Sequence, residues 1–179
     1  MVKPPEKLSP LNDLAMPRSG PNTVTLSERL CDSLVQVQAW PDSVGKVAKH
    51  IKGLKGELRV METGPGRWLI EGPEPDLEEV LRAGIDSSLG AVTDLTHGRV
   101  VVSISGAKAN WVLASGIALD FHTDAFPVGK TCLGHHHEIG LTIHRVGVDS
   151  FDLYVFTSLV RSFWQWAEIA SNEVGFRVV

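Results

Sequence analysis

The 179-residue sequence lacks several features that would point directly to a function. It has no excess of basic residues, because 17 Lys and Arg stand against 21 Asp and Glu, for a formal net charge of −4. Surplus cations are what bind a phosphate backbone, so we expect no nucleic acid as the main partner. No apolar run approaches the roughly 20 residues of a membrane-spanning helix, so we expect no membrane insertion either.

Cysteine is scarce as well. Cys31 and Cys132 lie far apart in the chain and could form a disulfide, but nothing requires it. Two thiols make no zinc site by themselves and suit a reducing compartment. Residues 1–5 lack the apolar segment of a secretory signal. These absences predict a cytoplasmic protein.

The first 22 residues differ from the rest, because they hold five of the ten prolines. Proline fixes φ and removes a hydrogen-bond donor, which excludes a long helix or a central strand here. Two apolar spots interrupt the segment, Leu8 with Leu11 and Leu14 with Met16. The segment is then either a disordered leader or an extended arm anchored on a partner subunit. We predict an arm over residues 1–22 and one α+β domain over residues 23–179, either single or divided into two small lobes.

The remaining chain alternates strand and helix patterns and is 43% hydrophobic overall, enough for a buried core. Strands are predicted at residues 24–26, 34–39, 58–61, 67–71, 91–94, 99–105, 131–146 and 151–156, and helices at 41–53, 76–84, 107–114 and 158–172. The first helix is expected to bury one apolar stripe, and the second to direct three residues inward; these are Val44, Val47, Ala48 and Ile51, and Leu77, Val80 and Leu81. Asp76 and Glu79 have capping-box spacing, and a turn is expected at residues 96–98. The order predicts an α+β fold of split β-α-β units, with antiparallel sheets packed by helices.

The last predicted helix has an unusually wide apolar surface. Its polar positions form a single stripe of four residues, Arg161, Gln165, Glu168 and Asn172. Either this helix is enclosed within its own domain, or one of its tryptophans meets another chain. We expect Trp164 or Trp166 to contact a partner.

A run of histidines is the most conspicuous candidate for a metal site. It comprises His135, His136, His137 and Glu138, with His144 further on, and imidazole and carboxylate groups bind zinc or iron. On one continuous strand, His135 and His137 would share a face, while His136, Glu138 and His144 would share the other. No local residue completes a coordination shell, so we interpret the run as a solvated strand end or loop and predict no metal-binding residue.

Signatures of nucleotide binding are incomplete. The tripeptide at residues 129–131 copies the end of a P-loop, but Asp124 stands where the upstream glycine belongs, and a strand is expected to follow. The tripeptide Gly-Pro-Gly at 64–66 has too few glycines, and no G-x-G-x-x-G exists. No cofactor-binding residue is predicted.

Candidate catalytic groups are also weak. Ser103, Ser105 and Ser115 lie in no nucleophile elbow, and Ser105 with Gly106 suits a helix N-cap. Two polar clusters fit Asx-type turns: Asp94, Thr96, His97 and Arg99 in the first, and residues 120–122 in the second. Trp68 and Trp111 are interpreted as core residues. We therefore predict no catalytic residue.

A set of short motifs in a specific order nevertheless resembles a known family. The motifs are residues 64–69, 92–99, 105–109, 119–121 with 126–127, 144–145, and 157–160 before 163–166. From about Thr23 to Phe176, this pattern resembles the gamma subunit of heterotetrameric sarcosine oxidase. That family is shared with gamma-like subunits of N-methylglutamate dehydrogenase and is distantly related to folate-binding aminomethyltransferases.

The resemblance implies an aminomethyltransferase-like fold and a non-catalytic, structural role in a flavin-dependent complex that demethylates sarcosine or a similar N-methyl amino acid. It implies larger alpha and beta flavoprotein subunits and a small zinc-bearing delta subunit as partners. FAD, FMN, NAD, tetrahydrofolate and zinc would be bound by those partners and not by this chain. Two other functions stay open: a gamma-like subunit of N-methylglutamate dehydrogenase, and a free-standing folate-binding aminomethyltransferase-like protein. A metalloenzyme built on the histidines is a further hypothesis.

Overall fold

The structure is a computed structural model that describes residues 8–20 and 23–179. Its elements in chain order are β1 (Val24–Arg29), β2 (Ser33–Ala39), α1 (Val44–Gly53), β3 (Arg59–Gly64), β4 (Arg67–Gly72), α2 (Leu77–Gly84), β5 (Gly90–Asp94), β6 (Arg99–Ser105), α3 (Ala109–Ala114), β7 (Thr131–His136), β8 (Ile139–Gly147), β9 (Ser150–Phe156), α4 (Val160–Asn172) and β10 (Phe176–Val178). Within the described residues, no helix has the length and apolar character needed to cross a membrane.

The smaller sheet has four strands in the order β3-β4-β2-β5, all antiparallel to their neighbours. Its chain order, β2-α1-β3-β4-α2-β5, is a ferredoxin-like pair of split β-α-β units. The predicted apolar stripe of α1 forms, because Val47 and Ile51 are buried against Val35 and Val37 of β2. The strand and helix periods therefore direct one face of each element into a common core.

The larger sheet has six strands in the order β10-β1-β6-β9-β8-β7. Only the β1–β10 pair is parallel, and the other neighbours are antiparallel. Helices α3 and α4 contribute to its core, in which Val112, Phe163 and Trp164 are buried with strand residues such as Val102 and Leu153.

The smaller unit is inserted between two strands of the larger sheet, because β1 and β6 are neighbours there. A third cluster of buried residues joins the two sheets and comprises Cys31, Leu34, Met61, Leu69, Val101 and Tyr154. The sheets thus face each other. The predicted α+β class, with antiparallel sheets packed by helices, is confirmed.

Two strand predictions need correction, and one strand was not predicted. The strands on either side of residues 96–98 do not pair with each other, because β5 belongs to the smaller sheet and β6 to the larger. The predicted strand at 131–146 is two strands, β7 and β8, joined by a two-residue turn. Strand β10 was not predicted, because only three residues form it and its partner β1 lies at the other end of the sequence.

Details of the helices also differ from the prediction. Asp76 lies at the N-cap of α2 without a side-chain capping bond, so the capping box does not form. Val80, predicted to face inward, is exposed. The N-cap of α3 is Lys108, and Ser105 ends β6, so the predicted cap at Ser105 and Gly106 is wrong.

The N-terminal segment packs partly on its own domain. Leu11 is fully buried in the core of the larger unit, Leu14 packs beside it, and Arg161 of α4 binds the Asp13 carboxylate at 2.6 Å. Leu11 is therefore no anchor for a partner, because proline excludes long helices and central strands but permits turns that seat one side chain. Residues 1–7, 21 and 22 of the predicted arm lie outside the described residues. The boundary between residues 22 and 23 stays a prediction.

Candidate functional site

The histidine run forms the turn between β7 and β8. His136 is the last residue of β7, and His137 adopts a left-handed backbone with φ of 47°. The turn reverses the chain, so the faces considered for one continuous strand do not form. The interpretation of the run as a strand end or loop is confirmed, except that His136 is buried. His144 lies near the far end of β8, opposite Asp152 of β9.

His136 makes structural contacts. Its ring stacks on Trp166 with centroids 4.2 Å apart, and its Nδ1 lies 3.0 Å from the carbonyl oxygen of Gly116. His135, His137 and Glu138 are exposed around it. Among residues 8–20 and 23–179, no three side chains of the types that bind metals gather around one point. That this turn binds no metal stays a prediction.

The first polar cluster is an Asx-type turn, as predicted. The backbone N–H of Thr96 donates to Asp94 Oδ1 at 2.9 Å, and the Thr96 hydroxyl accepts from the N–H of Leu34 at 2.9 Å. The turn thus fixes the crossing from the smaller sheet to the larger one. Arg99 follows the turn: its Nη1 donates to the carbonyl oxygen of Gly98, and its guanidinium lies over the ring of Phe156, 3.3 Å from the centroid.

The other weak motifs are structural too. The N–H of His122 donates to Asp120 Oδ1 at 2.8 Å, which makes residues 120–122 an Asx-type turn. Thr131 begins β7, so a strand follows the tripeptide at 129–131, as predicted. Trp68 is buried as expected, whereas Trp111 is exposed on α3, and its interpretation as a core residue is wrong.

Arg145, which was not singled out as a site residue, is fully buried and holds a loop in place. Its Nη1 donates to the carbonyl oxygens of Phe121 at 2.9 Å and Phe126 at 2.7 Å. Its other nitrogens donate to the carbonyls of Gly147 and Val148. A planar guanidinium can serve several carbonyls at once, which explains how this charge is accommodated in the core.

A cluster of charged side chains connects the two sheets, and sequence reasoning missed it. Glu71 of β4 and Asp152 of β9 are 8% and 5% exposed, and they bind the guanidinium groups of Arg29 and Arg59. The Tyr154 hydroxyl donates to Glu71 Oε2 at 2.6 Å. The only sequence signal was a carboxylate inside each of two otherwise apolar strands.

The ionisation of this cluster indicates a structural role. Burial alone would raise the pKa values of Glu71 and Asp152, but their hydrogen bonds and nearby arginines outweigh it and hold both pKa values below their ordinary range. Burial, together with the Glu71 charge, raises the pKa of Tyr154. Burial also lowers the pKa of His144. The acids are thus ionised and the tyrosine and histidine neutral near pH 7, which favours ion pairing over proton transfer.

Beyond this charged cluster, the sheets separate and leave an open inter-sheet cleft of about 270 Å³. Its walls include Leu69 and Arg67 from β4 and Tyr154 and Phe156 from β9. Arg99 lies at the same cleft. Burial lowers the pKa of the Arg99 guanidinium below its ordinary value. The size and lining of this cleft are those of a small binding site.

The two tryptophans of α4 have different positions. Trp164 is 0% exposed, and its Nε1 donates to Glu168 at 2.8 Å, so of the two tryptophans in the prediction Trp166 is the remaining candidate for a partner contact. The apolar surface of α4 is wide because the helix packs into the core of its own unit. Trp166 is half-buried, and Ile169, one turn later on the same helix, is 69% exposed.

Comparison with known proteins places the chain in a family. Residues 47–173 match the profile of the sarcosine oxidase, gamma subunit family. The sarcosine oxidase subunit gamma of Corynebacterium sp. (strain U-96) is 27% identical over 134 residues, and that of Arthrobacter sp is 31% identical over 112 residues. These alignments cover 74% and 62% of this chain but 63% and 53% of the relatives, less than two thirds of their length.

Two solved structures support the fold assignment. A chain of heterotetrameric sarcosine oxidase from Corynebacterium sp. U-96, in complex with pyrrole 2-carboxylate, superposes with a TM-score of 0.80 and 23% identity, covering 93% of this chain and 95% of that one. Glycine cleavage system aminomethyltransferase T from Bartonella henselae gives a TM-score of 0.54 and 14% identity, covering 81% of this chain and 45% of that one. These likenesses concern the fold, and they confirm the predicted aminomethyltransferase-like architecture. Since the family profile matches more than half of the residues, the chain belongs to the sarcosine oxidase gamma subunit family.

Proposed function

We propose that this chain is a non-catalytic, structural subunit of a multi-subunit, flavin-dependent complex that oxidatively demethylates sarcosine or a similar N-methyl amino acid. The observation that carries the proposal is the family match over residues 47–173. The fold similarity to a chain of heterotetrameric sarcosine oxidase supports it. The charged cluster supports a structural role as well, because its ionisable groups are engaged in joining the sheets.

The partners follow from the same proposal. Larger alpha and beta flavoprotein subunits and a small zinc-bearing delta subunit would complete the complex. FAD, FMN, NAD, tetrahydrofolate and zinc would be held by those subunits, in the cytoplasm. This chain would contribute surface and stability to the assembly and would bind no flavin.

The exposed side of α4 is where we place a subunit contact. Ile169 presents an aliphatic side chain there, and the half-buried Trp166 lies three residues before it, on the neighbouring helical position. Large aromatic and aliphatic side chains at a surface are the usual anchors of stable interfaces. Trp166 retains the role predicted for one of the two tryptophans of this helix.

The test is co-expression of the full chain with alpha, beta and delta chains of the sarcosine oxidase type, followed by purification through a tag on the gamma chain. We expect a yellow product of several chains that oxidises sarcosine, and a colourless, inactive product when the gamma chain is purified alone. N-methylglutamate serves as the competing substrate. Flavin bound stoichiometrically to the isolated chain, or no yellow complex on co-expression, would contradict the proposal.

The proposed contact on the exposed side of α4 is tested by the variant Ile169→Lys. The control is Val60→Lys on β3, at the edge of the smaller sheet, where the side chain is also exposed. A charge buried at an interface should weaken co-purification about tenfold or more, whereas the β3 variant should assemble normally. Circular dichroism of both variants controls for folding. Equal recovery of the complex with both variants would exclude the exposed side of α4 as the contact.

A further inference from the structure

The space between the two sheets has a charged end, at Glu71 and Asp152, and an open end at the inter-sheet cleft. Along β4, Glu71, Leu69 and Arg67 alternate with residues buried in the core of the smaller unit and so share the face toward the larger sheet. Along β9, Asp152, Tyr154 and Phe156 share the opposing face in the same way. Each strand therefore runs from a carboxylate at the charged end to a different kind of residue at the open end, roughly 13 Å away.

At the charged end the charges of the cluster are balanced. The Glu71 and Asp152 carboxylates face the guanidinium groups of Arg29 and Arg59. Two positive and two negative charges lie within direct contact there. These two arginines therefore already have anionic partners within the chain.

At the open end the charges are not balanced. Arg67 and Arg99 both line the inter-sheet cleft, and the cleft residues among the described part of the chain include no carboxylate. Arg67 uses its Nε to donate to Gln38 Oε1 at 2.7 Å, and Arg99 uses its Nη1 to donate to the carbonyl oxygen of Gly98 at 3.1 Å. Both are neutral acceptors, so they orient the guanidinium groups without cancelling their charge.

Arg99 is also held in position by an aromatic contact. The Arg99 guanidinium lies over the Phe156 ring at 3.3 Å from its centroid, an arrangement that a flexible surface arginine does not keep without support. Two oriented guanidinium groups facing one cavity form a site for an anion, and their planar forks match the two oxygens of a carboxylate.

The rest of the cleft indicates the body of the ligand. Leucine side chains and the rings of Tyr154 and Phe156 form about half of the wall, and Gln36, Thr63 and Thr142 add polar groups; the leucines are Leu69, Leu95, Leu133 and Leu141. A volume of about 270 Å³ is smaller than the usual range for drug-sized ligands and too small for a dinucleotide. The cleft therefore suits a compact group with one negative charge and an apolar body.

We propose that the inter-sheet cleft binds a small monocarboxylate with an apolar body, its carboxylate held by Arg67 and Arg99. This inference concerns a site within this chain and does not depend on the proposed role in a flavin complex. A doubly charged, strongly hydrated phosphate would lose more hydration against these leucines and is the less favoured anion.

The experiment is a titration of the isotope-labelled full chain, followed by ¹H–¹⁵N NMR of the backbone and the arginine Nε–H groups. Benzoate is the probe, benzylamine has the same ring with the opposite charge, and inorganic phosphate is the anion without an apolar body. We expect benzoate to shift the Arg67 and Arg99 Nε–H signals saturably, and benzylamine and phosphate to leave them unchanged.

Variants separate the site from general charge effects. Arg67→Gln and Arg99→Gln should each weaken benzoate binding about tenfold or more, because each removes one charged hydrogen-bond donor group. Arg82→Gln, at an exposed arginine of α2 that pairs with Glu78, is the matched control and should bind as the wild type does. Thermal unfolding of each variant verifies its fold. Absence of a saturable shift, equal shifts with phosphate, or undiminished binding by both cleft variants would overturn the proposal.

Discussion

The indole of Trp166 packs directly against Gly116. A Cβ atom placed on that glycine would lie 2.4 Å from Cζ2 of the tryptophan, closer than two carbon atoms can approach without a shift. Gly116 follows the C-cap of α3, and its lack of a side chain allows α4 to pack closely against the end of α3. The same tryptophan stacks on His136, so one ring connects α4 to both α3 and the β7–β8 turn.

Gly116→Ala should accordingly destabilise the fold by about 1–3 kcal/mol, because the added methyl group would displace the indole ring. Gly45→Ala in α1 is the matched control, since nothing lies within 4 Å of its added Cβ. Alanine there should leave stability unchanged or raise it by up to about 1 kcal/mol. Urea unfolding of both variants measures the difference, and equal stabilities would contradict the contact between α3 and α4.

Leu11 should matter for stability although it lies in the proline-rich segment. Leu11→Ala removes a fully buried side chain from the larger core and should cost about 2–5 kcal/mol. Leu8 is 75% exposed, so Leu8→Ala should change the free energy of unfolding by less than about 0.5 kcal/mol. Chemical denaturation of the two variants decides. A Leu11→Ala variant as stable as the wild type would show that Leu11 does not hold the N-terminal segment on this domain.

The charged cluster should make stability depend on pH in the acid range. The pKa values of Glu71 and Asp152 lie below their ordinary values of 4.5 and 3.8 in the folded chain. The unfolded chain therefore binds protons first as the pH falls, and the free energy of unfolding decreases from about pH 4.5 downward. Above that pH the contribution is complete. Urea unfolding across this range measures the slope.

Removing one carboxylate tests the same cluster near neutral pH. Glu71→Gln should cost about 3–5 kcal/mol, because it leaves two guanidinium groups facing a single carboxylate. Glu78→Gln is the control, since Glu78 pairs with Arg82 at the surface of α2 and should contribute less than about 1 kcal/mol. The Glu71→Gln variant should also show a shallower acid dependence than the wild type. An unchanged slope would mean that other carboxylates control acid unfolding.

Arg145→Lys should be poorly tolerated despite keeping the charge. A lysine ammonium cannot reach the carbonyls of Phe121, Phe126, Gly147 and Val148 together, and buried carbonyls left unpaired cost about 2–3 kcal/mol in all. Arg82→Lys at the surface should have little effect. Thermal unfolding compares the two, and full stability of the Arg145→Lys variant would show that water replaces the guanidinium.

Chelation should leave the chain unaffected. His136 directs Nδ1 to a backbone carbonyl and its ring to Trp166, and His144 lies at the opposite end of β8. We expect untagged protein to contain well under one zinc or iron per chain, and EDTA to leave its melting temperature unchanged. Elemental analysis with one metal per chain would show that the exposed histidines of the turn recruit ligands from elsewhere.

The elements with a strong local period were predictable. The stripe of Val47 and Ile51 in α1 and the alternation of β2 follow from the residue spacing of a helix and a strand, and both form as expected. The strand end or loop expected at the histidines is the turn at His137, but the strand predicted over residues 131–146 missed the reversal of the chain there. Strand β10 is too short to show a period.

What the sequence by itself determined is the class of fold, the order of its elements and, through the ordered motifs, the family. The tertiary structure decided which strands share a sheet, that Trp164 is buried while Trp166 is not, and that Arg59 is neutralised whereas Arg67 and Arg99 share a cleft without a carboxylate. The physical reason is the separation along the chain between the residues that interact. A local pattern specifies which face of an element is apolar, but Glu71 and Asp152 are distant in the chain, and only the stacking of two sheets brings their charges together.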